Sequence, residues 1–180
     1  IPQLIFGELL TSSNYKKDEK KIVGGKNGYG AKLANIFSET FNLITIDRIE
    51  EKKYSQTWEK NMIDCQKPTL RKFTGKPFTT ISYDLDFKRF GIEKYSEDLI
   101  NLMYRRVYDI AGITDKSVSV FLNNEKIKIK SFLDYVKMFS TNTGKKIIHE
   151  KISDRWEVCI TSSDNDVFEQ TSFVNGIHTS

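Results

Sequence analysis

Four of the ten glycines in this 180-residue chain fall within seven positions, Gly24, Gly25, Gly28 and Gly30, in the segment GGKNGYGAKL. Glycine at that density lets successive backbone N–H groups turn toward one point, because positive φ is open to it and no Cβ blocks a ligand. Leu33, Ile36 and Phe37 follow at i, i+3 and i+4, so the spacing predicts a helix over roughly 31–39, starting where the loop ends. The unpaired N–H groups of that helix's first turn, the positive end of its dipole, and the cations Lys26 and Lys32 then serve one anion nest. A polyphosphate is the guest such a loop suits.

Two familiar phosphate motifs do not fit. A Walker A loop would use the spacing of Gly25 and Gly30, but Ala31 stands at its lysine position, Lys32 comes one residue late, and no hydroxyl follows to hold magnesium. A Gly-x-Gly-x-x-Gly pattern starting at Gly28 and Gly30 meets Leu33 at its third glycine, and no strand precedes it. A plain surface loop capped by a helix remains open on spacing alone. Against it stands the triplet Ser12, Ser13 and Asn14, whose short hydroxyl and amide groups suit the edge of a sugar or base.

The elements that must position these residues can be read from periodicity. Leu4, Ile5, Leu9 and Leu10 predict a helix over residues 3–11, followed by a polar loop. FNLITIDRIE, KKYSQTWEKNM and KPFTTISYDL are rich in Thr, Tyr, Ile and Phe and predict an antiparallel meander. YSEDLINLMYRRVYDIAG predicts a long helix capped by Ser96 and stopped at Gly112. A hairpin is expected around Asn123-Asn124, then a short helix from Ser131. Three strands follow, KIIHEKIS, RWEVCITSS and VFEQTSFVNGI, with turns at Ser153-Asp154 and Ser163-Asp164-Asn165. A boundary is placed near residue 130, and both ends read as cut from something larger.

Composition narrows the classes. With 28 basic and 24 acidic residues the net charge is only +4, too little for a chain that coats nucleic acid. The 12 Phe and 8 Tyr argue for a folded chain rather than a disordered one. No apolar run reaches membrane-span length and no basic segment precedes an apolar one at the start, so neither a membrane nor secretion is expected. Cys65 and Cys159, without metal or CxxC spacing, read as reduced structural thiols of an intracellular protein.

LLTSSN followed by KDEKKIVGGKNGYGAKLANIFS closely resembles the ATPase region of eukaryotic type IIA DNA topoisomerases, and FNLITIDR, KYSQTWEKNM, RRVYDIAG, VFLNNEKIKIK, RWEVCITSSD and QTSFVNGIHTS extend the likeness over the whole chain. The resemblance implies an α+β fold: residues 1–129 as the second part of a Bergerat-type ATPase sandwich, and residues 130–180 as the start of a transducer domain. It implies ATP with magnesium as cofactor, double-stranded DNA as partner, a homodimer in the full-length protein, and a nuclear location. By position, Ser12, Ser13 and Asn14 would contact the ribose or phosphate side of ATP. Gly25, Lys26, Asn27, Gly28, Tyr29, Gly30, Ala31 and Lys32 would wrap the triphosphate, and Tyr15 to Val23 would belong to a lid. At Lys26 the family usually carries Arg, so the contact keeps its charge but loses the bidentate fork.

The same resemblance implies what these residues do not supply. The family's Glu base, magnesium-binding Asn and adenine-binding Asp would precede Ile1, and its γ-phosphate lysine would follow Ser180. No catalytic residue or metal ligand is therefore expected within the chain; Glu8 and Glu19 are the nearest glutamates ahead of the loop, and the helix of Glu8 resembles a different segment. An alternative is a Bergerat-fold module of the chaperone or mismatch-repair type, which uses ATP to switch dimerisation. His149 and His178 are assigned no role, and Trp58 and Trp156 are expected in the core. Arg105 and Arg106 read as a solvated helix face beside Asp98 and Asp109, and Lys126, Lys128 and Lys130 as a basic stripe on one side of a strand.

Overall fold

The structure, a computed structural model, describes residues 1–15, 24–139, 144–163 and 166–179. Most of the expected lid, Glu19, and the turn at Asp164-Asn165 lie outside the described residues. The chain divides into two compact units, the first holding the described residues up to Lys94 except Gly24, the second Gly24 and Tyr95 onward. The boundary expected near 130 falls within the second unit.

The first unit begins with α1 (Pro2–Gly7) and α2 (Gly30–Ile36), followed by β1 (Ser38–Asp47), β2 (Lys52–Glu59), β3 (Asp64–Cys65), β4 (Thr69–Lys72) and β5 (Thr79–Leu85). The turn from β1 into β2 is set locally: the Asp47 carboxylate accepts the N–H groups of Ile49 at 2.9 Å and Glu50 at 3.1 Å. The strands form one antiparallel sheet but no meander. β5 pairs with β1, opposite Thr45 to Ser38, while the free edge of β2 is shared by the short strands β3 and β4. With that edge taken, the third long strand closes on the other side of β1.

Alternation decides which face is buried. Phe41 and Leu43 of β1 stand on the same side as Tyr54 and Trp58 of β2, and Phe6 of α1 and Ala34 of α2 pack over them. Each such side chain removed from water contributes about 1.5–3 kcal/mol. Trp58 is the largest of them, 1% exposed, with its ring edge toward Phe41 at 5.9 Å.

The second unit contains α3 (Glu97–Ile113), β6 (Phe121–Leu122), β7 (Glu125–Lys126), α4 (Phe132–Lys137), β8 (Ile148–Ser153), β9 (Trp156–Ile160), β10 (Ser172–Val174) and β11 (Ile177–Thr179). Both helices start as their sequences predict: Ser96 Oγ accepts Leu99 N–H at 3.2 Å and Ser131 Oγ accepts Asp134 N–H at 3.1 Å. Asn123 and Asn124, at φ 49° and 68°, turn β6 into β7. The last segment departs from expectation. VFEQTSFVNGI is not one strand, because Asn175 and Gly176, at φ 50° and 80°, fold it into the β10–β11 hairpin. The strands after residue 147 are accordingly two separate hairpins rather than one sheet.

Two further expectations are corrected here. Trp156 is 68% exposed, at the turn end of β9, which among the described residues pairs with β8 alone. Asp109 is no part of a solvated face: it is buried, accepting the Tyr135 hydroxyl at 2.6 Å and Arg106 Nη1 at 2.9 Å. This cluster ties α3 to α4, with the Tyr135 ring also edge-on to Phe139 and Phe173. Cys65 and Cys159 are free thiols. Among the described residues no helix is long and apolar enough to cross a membrane.

Candidate functional site

In the first unit the Ser12–Asn14 segment lies directly against the glycine loop. Asn14 Nδ2 donates to the Gly25 carbonyl at 2.7 Å and the Tyr15 hydroxyl to the Asn27 carbonyl at 3.3 Å. Within the segment, Asn14 N–H donates to Ser12 Oγ at 3.1 Å. Thr11, which sequence reasoning passed over, anchors the arrangement: its hydroxyl donates to the carbonyls of Leu4 at 2.9 Å and Glu8 at 3.0 Å, and its own carbonyl accepts Lys32 Nζ at 2.9 Å. The hydroxyl run Thr11-Ser12-Ser13 is the signal that would have included it.

The glycines differ in what they do. Gly28 sits at φ 69°, where a Cβ would stand 2.2 Å from the Thr11 carbonyl oxygen, so both conformation and close approach demand glycine. A Cβ at Gly25 or Gly30 would meet nothing within 4 Å. Those two glycines leave open room beside the loop. Lys26, Asn27 and Tyr29 are exposed, as is Ser13, and Ala31 is half-buried. The first helical bond of α2 runs from Leu33 N–H to the Tyr29 carbonyl at 2.8 Å, so the amides of Gly30, Ala31 and Lys32 have no acceptor inside the helix.

Lys32 is the unusual member. It is 2% exposed, yet among the described residues its ammonium is ion-paired with no carboxylate, and Thr11 supplies only a neutral carbonyl. A buried cation so placed is costly unless an anion accompanies it. A second buried polar group lies one helical turn on: Asn35 donates to the Phe6 carbonyl at 3.0 Å while its Oδ1 has no partner among the described residues. A polar residue within an otherwise apolar helix face was the available sign of it.

Chemically the arrangement offers a cation, helix-end amides with no acceptor inside the helix, and open space, which suit a polyphosphate. The side chain of Glu8 is exposed, and among the described residues no group of three His, Cys, Asp or Glu could hold a metal ion. His149 pairs with Glu157 at 2.8 Å across the β8–β9 hairpin, and His178 is edge-on to Phe173 at 5.5 Å.

No protein-family model matches the chain. Human DNA topoisomerase 2-alpha is 48% identical over 186 aligned residues, covering 100% of this chain and 12% of the relative. DNA topoisomerase 2 top-2 of Caenorhabditis elegans is 48% identical over 184 residues, covering 99% and 12%. The solved ATPase region of Saccharomyces cerevisiae topoisomerase II matches with TM-score 0.92 and 46% identity, over 99% of this chain and 47% of that one. The ATPase and transducer domains of the Balamuthia mandrillaris enzyme match with TM-score 0.88 and 35% identity, over 99% and 46%. The chain thus spans 12% of the length of these curated relatives and about half of the solved ones. Its mixed helices and sheets are those of that ATPase and transducer region, and a chaperone-type or repair-type switch is not favoured.

Proposed function

The chain belongs to the DNA topoisomerase II family, and from that premise we propose that Ser12–Asn14 and the glycine loop form half of an ATP site. Residues 1–129 are then the second part of the ATPase domain and residues 130–180 the start of the transducer. The observation that carries this reading is Lys32, a buried cation whose only described partner is a carbonyl. An ammonium has three N–H donors; one goes to Thr11, leaving two for phosphate oxygens. The amides of Gly30 and Ala31 face the same anion, Lys26 supplies an exposed second charge, and Gly25, Asn27, Gly28 and Tyr29 shape the loop. Ser12, Ser13 and Asn14 hold the ribose or phosphate side. Nucleotide supplies negative charge where the fold has prepared positive charge, and magnesium would be held by residues other than these.

In the whole protein, ATP capture closes a homodimeric gate around one DNA duplex, which passes through a double-strand break in another, and hydrolysis resets the gate in the nucleus. The 180 residues alone bind ATP weakly and do not turn it over, since no residue in them is assigned as general base. Calorimetric titration with ATP tests the reading. Binding is expected, weakened about 10- to 100-fold by Lys32→Met, as loss of a charged hydrogen-bond partner costs about 1.5–3 kcal/mol. Lys26→Met, at an exposed position, should cost less. Affinity unchanged in folded Lys32→Met would contradict the assignment, and magnesium-dependent phosphate release by the chain alone would contradict the division of labour.

A further inference from the structure

The second unit carries a groove of about 670 Å3 between β7 and α4 that the nucleotide reading does not use. Lys126 and Lys128 from the end of β7 and Lys137 from α4 line it, together with Ile127, which is 8% exposed. Burial alternates along KIKIK. Lys126, Lys128 and Lys130 are exposed while Ile127 is buried and Ile129 half-buried, so three ammonium groups reach solvent within five residues, in the stretch where β7 ends at Lys126. None of those three lysines is ion-paired among the described residues.

Two acidic residues share the groove, Glu125 and Asp134. Asp134 is already committed: its carboxylate accepts the Lys130 backbone N–H at 3.2 Å and lies 3.9 Å from Lys137 Nζ. Edge lysines also protect a strand against adding a stranger's strand. Here the last backbone bond between the two strands' ends runs from Ile127 N–H to the Val120 carbonyl at 3.0 Å, so Lys128 and Lys130 lie past the paired stretch. A cluster of exposed cations beside a groove is complementary in charge to a row of phosphates.

We propose that Lys126, Lys128 and Lys130, with Lys137 across the groove, form a contact surface for the phosphodiester backbone of duplex DNA, engaged without base readout. The choice of DNA as the polyanion rests on the function proposed above; the cationic row does not. Phosphate contacts of this kind release counterions, so binding should weaken linearly on a log–log salt scale with a slope of about −0.9 per phosphate engaged.

The test is anisotropy of a fluorescent mixed-sequence 30-base-pair duplex titrated with the chain at several salt concentrations. Lys126→Gln, Lys128→Gln and Lys130→Gln together should weaken binding at least tenfold and flatten the slope by about 2.7, three contacts' worth. Lys67→Gln, Arg71→Gln and Lys72→Gln, removing equal charge from the first unit, should leave the slope within one contact of wild type. Circular dichroism and ATP titration on the same proteins separate the two readings, since the nucleotide site shares no residue with this row. No binding by wild type, an unchanged slope in the triple variant, or equal loss in the control set would each overturn the proposal. So would competition by a poly-glutamate peptide as effective as by unlabelled duplex, which would assign the row to an acidic protein surface.

Discussion

Trp58 and Trp156 stand in strands of the same alternating pattern, yet one is 1% and the other 68% exposed. β2 is an interior strand of a five-stranded sheet whose apolar face is roofed by α1 and α2. Among the described residues β9 pairs with one strand, β8. Period-two patterning specifies a strand and which of its sides is apolar, but the cover comes from elsewhere in the chain. The two units also build their interiors differently. The first packs Phe41, Leu43, Tyr54 and Trp58 together, whereas the second gathers Phe132, Phe139 and Phe173 around Tyr135, whose hydroxyl is satisfied by buried Asp109.

The largest test of that contrast is a pair of alanine substitutions. Trp58→Ala should cost about 3–5 kcal/mol through lost burial and a residual cavity. Trp156→Ala should stay within about 0.5 kcal/mol, as for surface positions generally. Urea melts followed by circular dichroism measure both, and comparable losses would break the comparison. Gly112→Ala comes next. In most helices this change gains about 1 kcal/mol, but here the new Cβ would stand 2.6 Å from Tyr135 Cγ and 2.7 Å from its Cβ, atoms near the backbone that cannot swing away. Overpacking of about 1–3 kcal/mol should therefore win, and thermal melts of the variant should move down.

A pH profile sharpens the difference further. Burial first, and the hydrogen bond to Asp109 second, push the Tyr135 phenol well above its ordinary value of 10. Below that value folded and unfolded chains both keep the proton, so the contribution is intact. As pH rises past 10 the unfolded chain ionises first and stability is lost. Tyr54 shifts the same way, through burial and then the charge of Cys65. Tyr135→Phe should flatten part of the decline at high pH, the rest coming from other groups that burial pushes up, such as Tyr54 in the first unit and Cys159 in the second; an identical profile would refute the assignment. The smallest expected effect is Asn14→Ala, which removes the bond to Gly25 and should lower ATP affinity about fivefold, a neutral hydrogen bond contributing about 1 kcal/mol.

Local chemistry made much of this legible in the sequence. Caps at Ser96 and Ser131, the Asn123-Asn124 turn and the helix after the glycine loop depend on neighbours a few residues away, and they stand where their residues place them. Long-range pairing did not announce itself: nothing within KPFTTISYDL says that its strand joins β1 rather than β2. The Asn175-Gly176 turn had a readable signal that the surrounding apolar run obscured. For the site, residue types and order brought Ser12–Asn14 and the loop together. The burial of Lys32 was hidden, because a lysine on a helix reads as exposed until the Thr11 carbonyl is seen to receive it.

Hydrogen exchange of the backbone amides with and without nucleotide tests the central claim most directly. ATP at saturating concentration should slow exchange across Gly25–Lys32 and at Ser12–Asn14, while adenosine, which carries no phosphate, should leave the glycine loop unchanged. Equal protection by adenosine, or protection by ATP confined to other segments, would contradict the triphosphate cradle.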